Sequence, residues 1–135
     1  MASPIEPSVA IISADCRIVV YQSVSLATKL WIKGIGFSIA EVVQEEKLAH
    51  LFIDGAVASL RLSPQDYHRF HSPVAGTVEA YRRIDGASYH VDHMAITSRV
   101  NVLCRNVREW ICLDTECFGK VLFIAIGAIR VGHIA

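Results

Sequence analysis

The densest run of reactive side chains is Asp66-Tyr67-His68-Arg69-Phe70-His71-Ser72-Pro73, which puts a carboxylate, a phenol, a guanidinium, a hydroxyl and two imidazoles side by side. Histidine moves protons near neutral pH, and a carboxylate partner fixes its tautomer and orientation. Such a run serves acid–base chemistry, or else it is a polar turn with solvated histidines; composition alone leaves both open. Other chemistries have less support. His68/His71 and His90/His93 form two His-x-x-His pairs, but both lie in segments that read as strand or turn. Residues three apart on a strand point to opposite faces, so no shared metal ion is expected. The sequence contains neither GxGxxG nor GxxxxGK[ST], and no GxSxG nucleophile elbow. Cys16, Cys104, Cys112 and Cys117 form no CxxC, and the absence of a secretion signal favours reduced thiols over disulfides, zinc ligands or nucleophiles.

The elements that must position this run belong to an apolar-rich chain of 135 residues, 53% hydrophobic and 19% charged, which is expected to form a single domain over 1–135. Thirteen acidic and thirteen basic side chains balance, which argues against nucleic acid or an electrostatically held anionic membrane as partner. The N-terminus shows no secretory or transit signal. Val121 to Ile129 falls short of the ~20 apolar residues of a membrane span and reads as a buried strand.

Val9 to Ile12 and Arg17 to Tyr21 read as short strands around a turn, and Leu30-Trp31-Ile32-Lys33 as a strand entering Gly34-Ile35-Gly36. Ser38 and Glu41 stand at capping-box spacing, so one helix is expected from Ile39 to His50. Val57 to Leu62 alternates with period two and ends at Ser63-Pro64. Thr77 to Ile84 and Ala87 to Val91 flank Asp85-Gly86, which predicts a hairpin. Glu109 to Leu113 and Lys120 to Ile129 predict a second strand pair. The fold class expected is therefore mainly β (α+β), antiparallel sheets with one or two short helices. Gly132-His133-Ile134-Ala135 directly after an apolar strand lacks a polar tail. The domain is thus expected to be truncated on its C-terminal side, with a sheet edge that calls for a partner or a second copy.

As a string, Leu62-Ser-Pro-Gln-Asp-Tyr-His-Arg-Phe-His-Ser-Pro-Val-Ala-Gly-Thr-Val78 resembles the most specific stretch of the phosphatidylserine decarboxylases. Ile12-Ser-Ala-Asp15 resembles that family's early S-P-A-D turn, and Trp31-Ile-Lys-Gly34 its K-G segment. Tyr89-His-Val-Asp-His-Met-Ala-Ile96 resembles Y-x-V-N-P-M-A-I, Asn106 to Leu113 the N-x-R stretch, and Asp114-Thr-Glu-Cys-Phe-Gly-Lys-Val121 with Gly127-Ala128 and Val131-Gly132 the long strand pair. The likeness covers nearly the whole chain and is nearest to a fungal-type β-chain portion. Four positions depart from the pattern: Cys16 for a small residue, Ala75 for a polar one, His93 for proline and His133 for serine.

The resemblance implies a proenzyme that cuts itself at a Gly-Ser bond. The new N-terminal residue becomes a pyruvoyl cofactor, the electron sink that releases carbon dioxide from phosphatidylserine to give phosphatidylethanolamine. It also implies roles: Asp15 and His71 match the aspartate and histidine of an Asp-His-Ser self-cleavage relay, and His68 matches a histidine beside the pyruvoyl. The G-S-[ST] motif does not occur in this chain, so the group is not formable from it and the chain alone is expected to be inactive. The implied partners are a missing α-chain segment or a related decarboxylase chain, with phospholipid as a further ligand. The family is membrane-associated, at the mitochondrial inner membrane or endomembranes. Two other readings fit the same string: a non-catalytic paralogue that binds lipid or enzyme, and a fragment of a soluble amino-acid decarboxylase with the same motif.

Overall fold

A computed structural model describes residues 6–30, 38–91 and 101–128 of the chain. These form two antiparallel sheets and four short helices, as the mainly β reading expects. The smaller sheet pairs β1 (Arg17–Tyr21) with β2 (Val57–Arg61), and the larger has the order β3 (Thr77–Ile84), β4 (Arg108–Thr115), β5 (Gly119–Ile126). The helices are α1 (Val24–Leu30), α2 (Ile39–Val43), α3 (Glu46–His50) and α4 (Val102–Arg105).

The register of the larger sheet assigns its faces. Ala80, Cys112 and Leu122 stand abreast, as do Arg82, Trp110 and Ile124. Directly opposed residues share a face. This face carries the core, in which Val43, Ala49, Ile84, Trp110 and Cys112 are buried, with Leu48 and Phe52 packed against them. Helices α2 and α3 cover it. The opposite face carries Tyr81, Ile111 and Phe123 abreast, with Val78, Leu113 and Val121 in the next row of that face. The β4–β5 turn closes at Gly119, whose φ of +65° suits a residue without Cβ, while the Thr115 hydroxyl donates to the Gly119 carbonyl at 2.8 Å. A bulge between Val78 and Ala80 sets Glu79 apart, and its carboxylate reaches across β4 to Lys120 at 2.5 Å.

The sequence expectation of one helix from Ile39 to His50 is corrected: it breaks at Gln44, which adopts φ 51°, ψ 39°. Side chains from the sheet explain the break. A helix end leaves its last carbonyls without partners inside the helix. Here Arg108 donates Nε–H to the Val42 carbonyl (2.5 Å) and an Nη2 proton to that of Glu41 (3.1 Å); Trp110 Nε1–H serves Val43 (3.0 Å), and Arg82 serves Gln44 (2.7 Å). The start is as expected, with Ser38 Oγ accepting from the Glu41 N–H at 3.3 Å.

The expected hairpin around Asp85-Gly86 is likewise corrected. β3 pairs with β4, and Ala87 makes only an isolated parallel bridge to Asn106. A Cβ on Gly86 would stand 2.3 Å from the Arg105 carbonyl, so the chain passes against α4 here instead of turning back on itself. Val9 to Ile12 forms no strand, and Leu30 closes a helix the sequence did not announce; Trp31 to Lys33 lie outside the described residues. β5 matches the expected strand, with residues 121–126 half-buried, while Ile129 lies outside the description.

Candidate active site

The loop carrying the histidines, residues 62–76, lies between β2 and β3 and is fastened at several points. Its start is closed by a reciprocal pair: the Asp66 N–H donates to the Ser63 carbonyl (2.9 Å), and the Ser63 N–H donates to Asp66 Oδ2 (2.6 Å). In its second half the His71 N–H donates to the Ser13 carbonyl (2.8 Å) and the Ile11 N–H to the Pro73 carbonyl (2.8 Å). This is one antiparallel crossing, made by the segment in which a strand was expected. Val74 is buried, and Gly76 sits so close to β4 that a Cβ would meet the Asp114 carbonyl at 2.6 Å. Phe70, between the two histidines, packs on Phe123 of β5 with ring centroids 5.3 Å apart.

Phe123 belongs to the sheet face that the helices leave open, so the histidine loop lies across the sheet from α2 and α3. Asp15, His68 and His71 are all exposed. The Ser13–His71 bond brings Asp15 and His71, 56 positions apart in sequence, to within two residues of a shared backbone contact. Among the described residues no hydrogen bond joins their side chains. Burial first, then the charges of Asp66 and the neighbouring Asp15, raise the pKa of the Cys16 thiol. β5 lies at one edge of its sheet, and its outer side has no strand partner among the described residues.

Two residues of the Asn-x-Arg stretch have structural tasks the sequence left unstated. Asn106 is fully buried; its amide donates to the Tyr89 (2.8 Å) and Gly127 (2.7 Å) carbonyls, and its oxygen accepts from the Tyr89 N–H (3.0 Å). It ties the segment after β3 to the end of β5. Arg108, 1% exposed, holds α2 and also donates to the Asn106 carbonyl at 2.8 Å. Burial lowers its pKa, yet every donor direction named here ends on a carbonyl. Phe70 was the missed signal in the histidine run: one large apolar residue among polar ones marks an anchor.

The profile of the family described as phosphatidylserine decarboxylase matches residues 2–135. The chain is 43% identical over 131 residues to phosphatidylserine decarboxylase proenzyme 3 of Schizosaccharomyces pombe, covering 97% of this chain and 14% of that protein. It is 42% identical to proenzyme 2 of Oryza sativa (96% of this chain, 21% of that one) and 39% identical to the proenzyme of Fusobacterium nucleatum (90% and 40%). The chain thus spans less than half the length of these relatives. With the profile matched from residue 2 to residue 135 and its histidine loop held across the sheet from the helices, the chain belongs to the phosphatidylserine decarboxylase family.

Proposed function

We propose that this chain is the β-chain part of a pyruvoyl-dependent decarboxylase acting on phosphatidylserine, and that it turns over substrate only when joined by the rest of the polypeptide. The observation that supports this is the backbone bond from His71 to Ser13, which is two positions from Asp15 in the chain. In this reading Asp15 orients the His71 imidazole, which takes the proton from the serine hydroxyl that attacks the chain at the cleavage point. His68, exposed on the same loop, positions substrate and returns the proton that replaces the lost carboxyl group.

None of the eight glycines precedes a serine, so the cleavage serine comes from the completing segment. The outer edge of β5, next to the Phe70–Phe123 contact, is the place for that segment to pair. The exposed imidazoles flanking Phe70 then meet it there. The pyruvoyl group supplies the electron sink for release of carbon dioxide, and this chain supplies the acid–base groups around it. Among the described residues no helix is long and apolar enough to cross a membrane. Family membership supports membrane association of the whole enzyme.

The test is to join the chain to the C-terminal segment of the S. pombe proenzyme and follow cleavage on gels and phosphatidylethanolamine formation. Asp15→Asn and His71→Ala are expected to leave the precursor uncut. His68→Ala is expected to be cut and to lose turnover. Wild-type cleavage rates in both Asp15→Asn and His71→Ala would sink the assignment.

A further inference from the structure

In the β1–β2 ribbon Arg17 stands directly opposite Arg61. Opposed residues lie on the same face with Cβ atoms about 5 Å apart, and like charges so placed repel. A ribbon has neutral or oppositely charged choices at this position, and the larger sheet makes them: Arg83 faces Glu109 with Nη1 and Oε1 3.1 Å apart. Arg82, Arg83, Arg108 and Lys120 all have protein partners. Arg17 and Arg61 have none among the described residues, although Arg61 is half-buried.

The pair also occupies a particular place. The chain leaves β1 backward through Ala14-Asp15-Cys16 and leaves β2 forward through residues 62–70, and the two paths meet again at Ser13–His71. Arg17–Arg61 therefore closes one end of the bracket whose other end holds His71. Three residues separate Ser13 from Arg17, so at most about 14 Å of extended chain lies between the ribbon's arginine end and the contact with the histidine loop. The nearby carboxylates leave the pair free: Asp66 accepts from Ser63, and Asp15 forms no ion pair with either arginine. Farther along the same face of the ribbon Val19 lies opposite Ser59, and Val19 is 49% exposed. Two unpartnered guanidinium groups side by side on one face of the ribbon match the oxygens of an anionic phosphodiester. Planar guanidinium forks suit phosphate oxygens in particular.

We infer that Arg17 and Arg61 form the subsite that holds the phosphodiester of the phospholipid substrate and so separates a phosphatidylserine from a free amino acid. The inference rests on the proposed function for the identity of the lipid; the anion site itself is tested without turnover. The full chain is titrated with short-chain dihexanoylphosphatidylserine, with inorganic phosphate and with free serine, following the Nε–H signals of the arginines by NMR.

Saturable shifts at Arg17 and Arg61 with the lipid, weaker ones with phosphate and none with serine are expected. Arg17→Gln and Arg61→Gln are each expected to weaken lipid binding at least tenfold while unfolding at temperatures no lower than wild type, because a repulsion is removed. Arg61→Lys, which keeps the charge, should recover part of the affinity. Lipid affinity unchanged in both Gln variants would overturn the inference, and so would phosphate binding as tightly as the lipid. If the lipid binds through this pair but the joined protein never decarboxylates it, the proposed function fails and the site stands.

Discussion

Replacing Arg108 by methionine asks how much a sheet residue contributes to keeping α2 in place. Methionine keeps most of the apolar stem and removes the guanidinium, so the carbonyls of Glu41, Val42 and Asn106 lose their donors together. A hydrogen bond from a charged donor contributes about 1.5–3 kcal/mol, and desolvation of the buried guanidinium offsets a good part of three such bonds. Seen from the variant, a stranded buried acceptor costs about 1–3 kcal/mol. The Glu41 carbonyl is only part-buried and can turn to water, which leaves two acceptors to count. A net loss of about 3 kcal/mol follows, a large share of the roughly 5–15 kcal/mol that holds a domain folded.

For a chain of 135 residues that loss corresponds to a fall of about 10 °C in Tm. Circular dichroism melts and urea titration measure it, and amide exchange of α2 should accelerate more than that of β4. Arg108→Lys should fall between, since one ammonium cannot reach three carbonyls in the plane the guanidinium spans. A loss below about 1 kcal/mol, with α2 exchange unchanged, would refute the idea that these carbonyls depend on Arg108.

Two further outcomes are expected. Gln44→Gly relieves a left-handed backbone at the end of α2 and should stabilise the chain by about 0.5–1 kcal/mol in urea titration; a loss would mean that the glutamine side chain contributes more than its backbone strain costs. Cys104 has its pKa pushed up to about 11 from 9.0, by burial first and then by the Glu41 charge. Its stabilising contribution is therefore complete below about pH 9 and declines as the pH rises towards 11, where the unfolded thiol ionises and the folded one does not. Cys104→Ser should flatten part of the alkaline fall in stability, only part because Cys112 is shifted in the same direction; an unchanged slope would contradict the assignment.

Much of this protein is written locally. Alternation and turn chemistry gave β1 and β3 their observed bounds, and Asp114 to Gly119 announced the β4–β5 turn, because strand faces and tight turns depend on residues a few positions apart. The histidine run identified the loop that carries the candidate chemistry. The partner of β3 was a different matter. Asp85-Gly86 fits a hairpin, but β4 offers seven residues of matching register and Ala87 to Val91 offers one bridge, a competition that no local window contains. The break at Gln44 is likewise settled from outside α2, by Arg82, Arg108 and Trp110, which lie tens of positions away and supply the donors its last carbonyls need. The opposition of Arg17 and Arg61 also exists only once the register of two distant strands is fixed. Sequence records which groups are available, whereas the meeting of groups far apart along the chain is decided by packing, since a buried carbonyl or charge is satisfied only by what the tertiary fold brings to it.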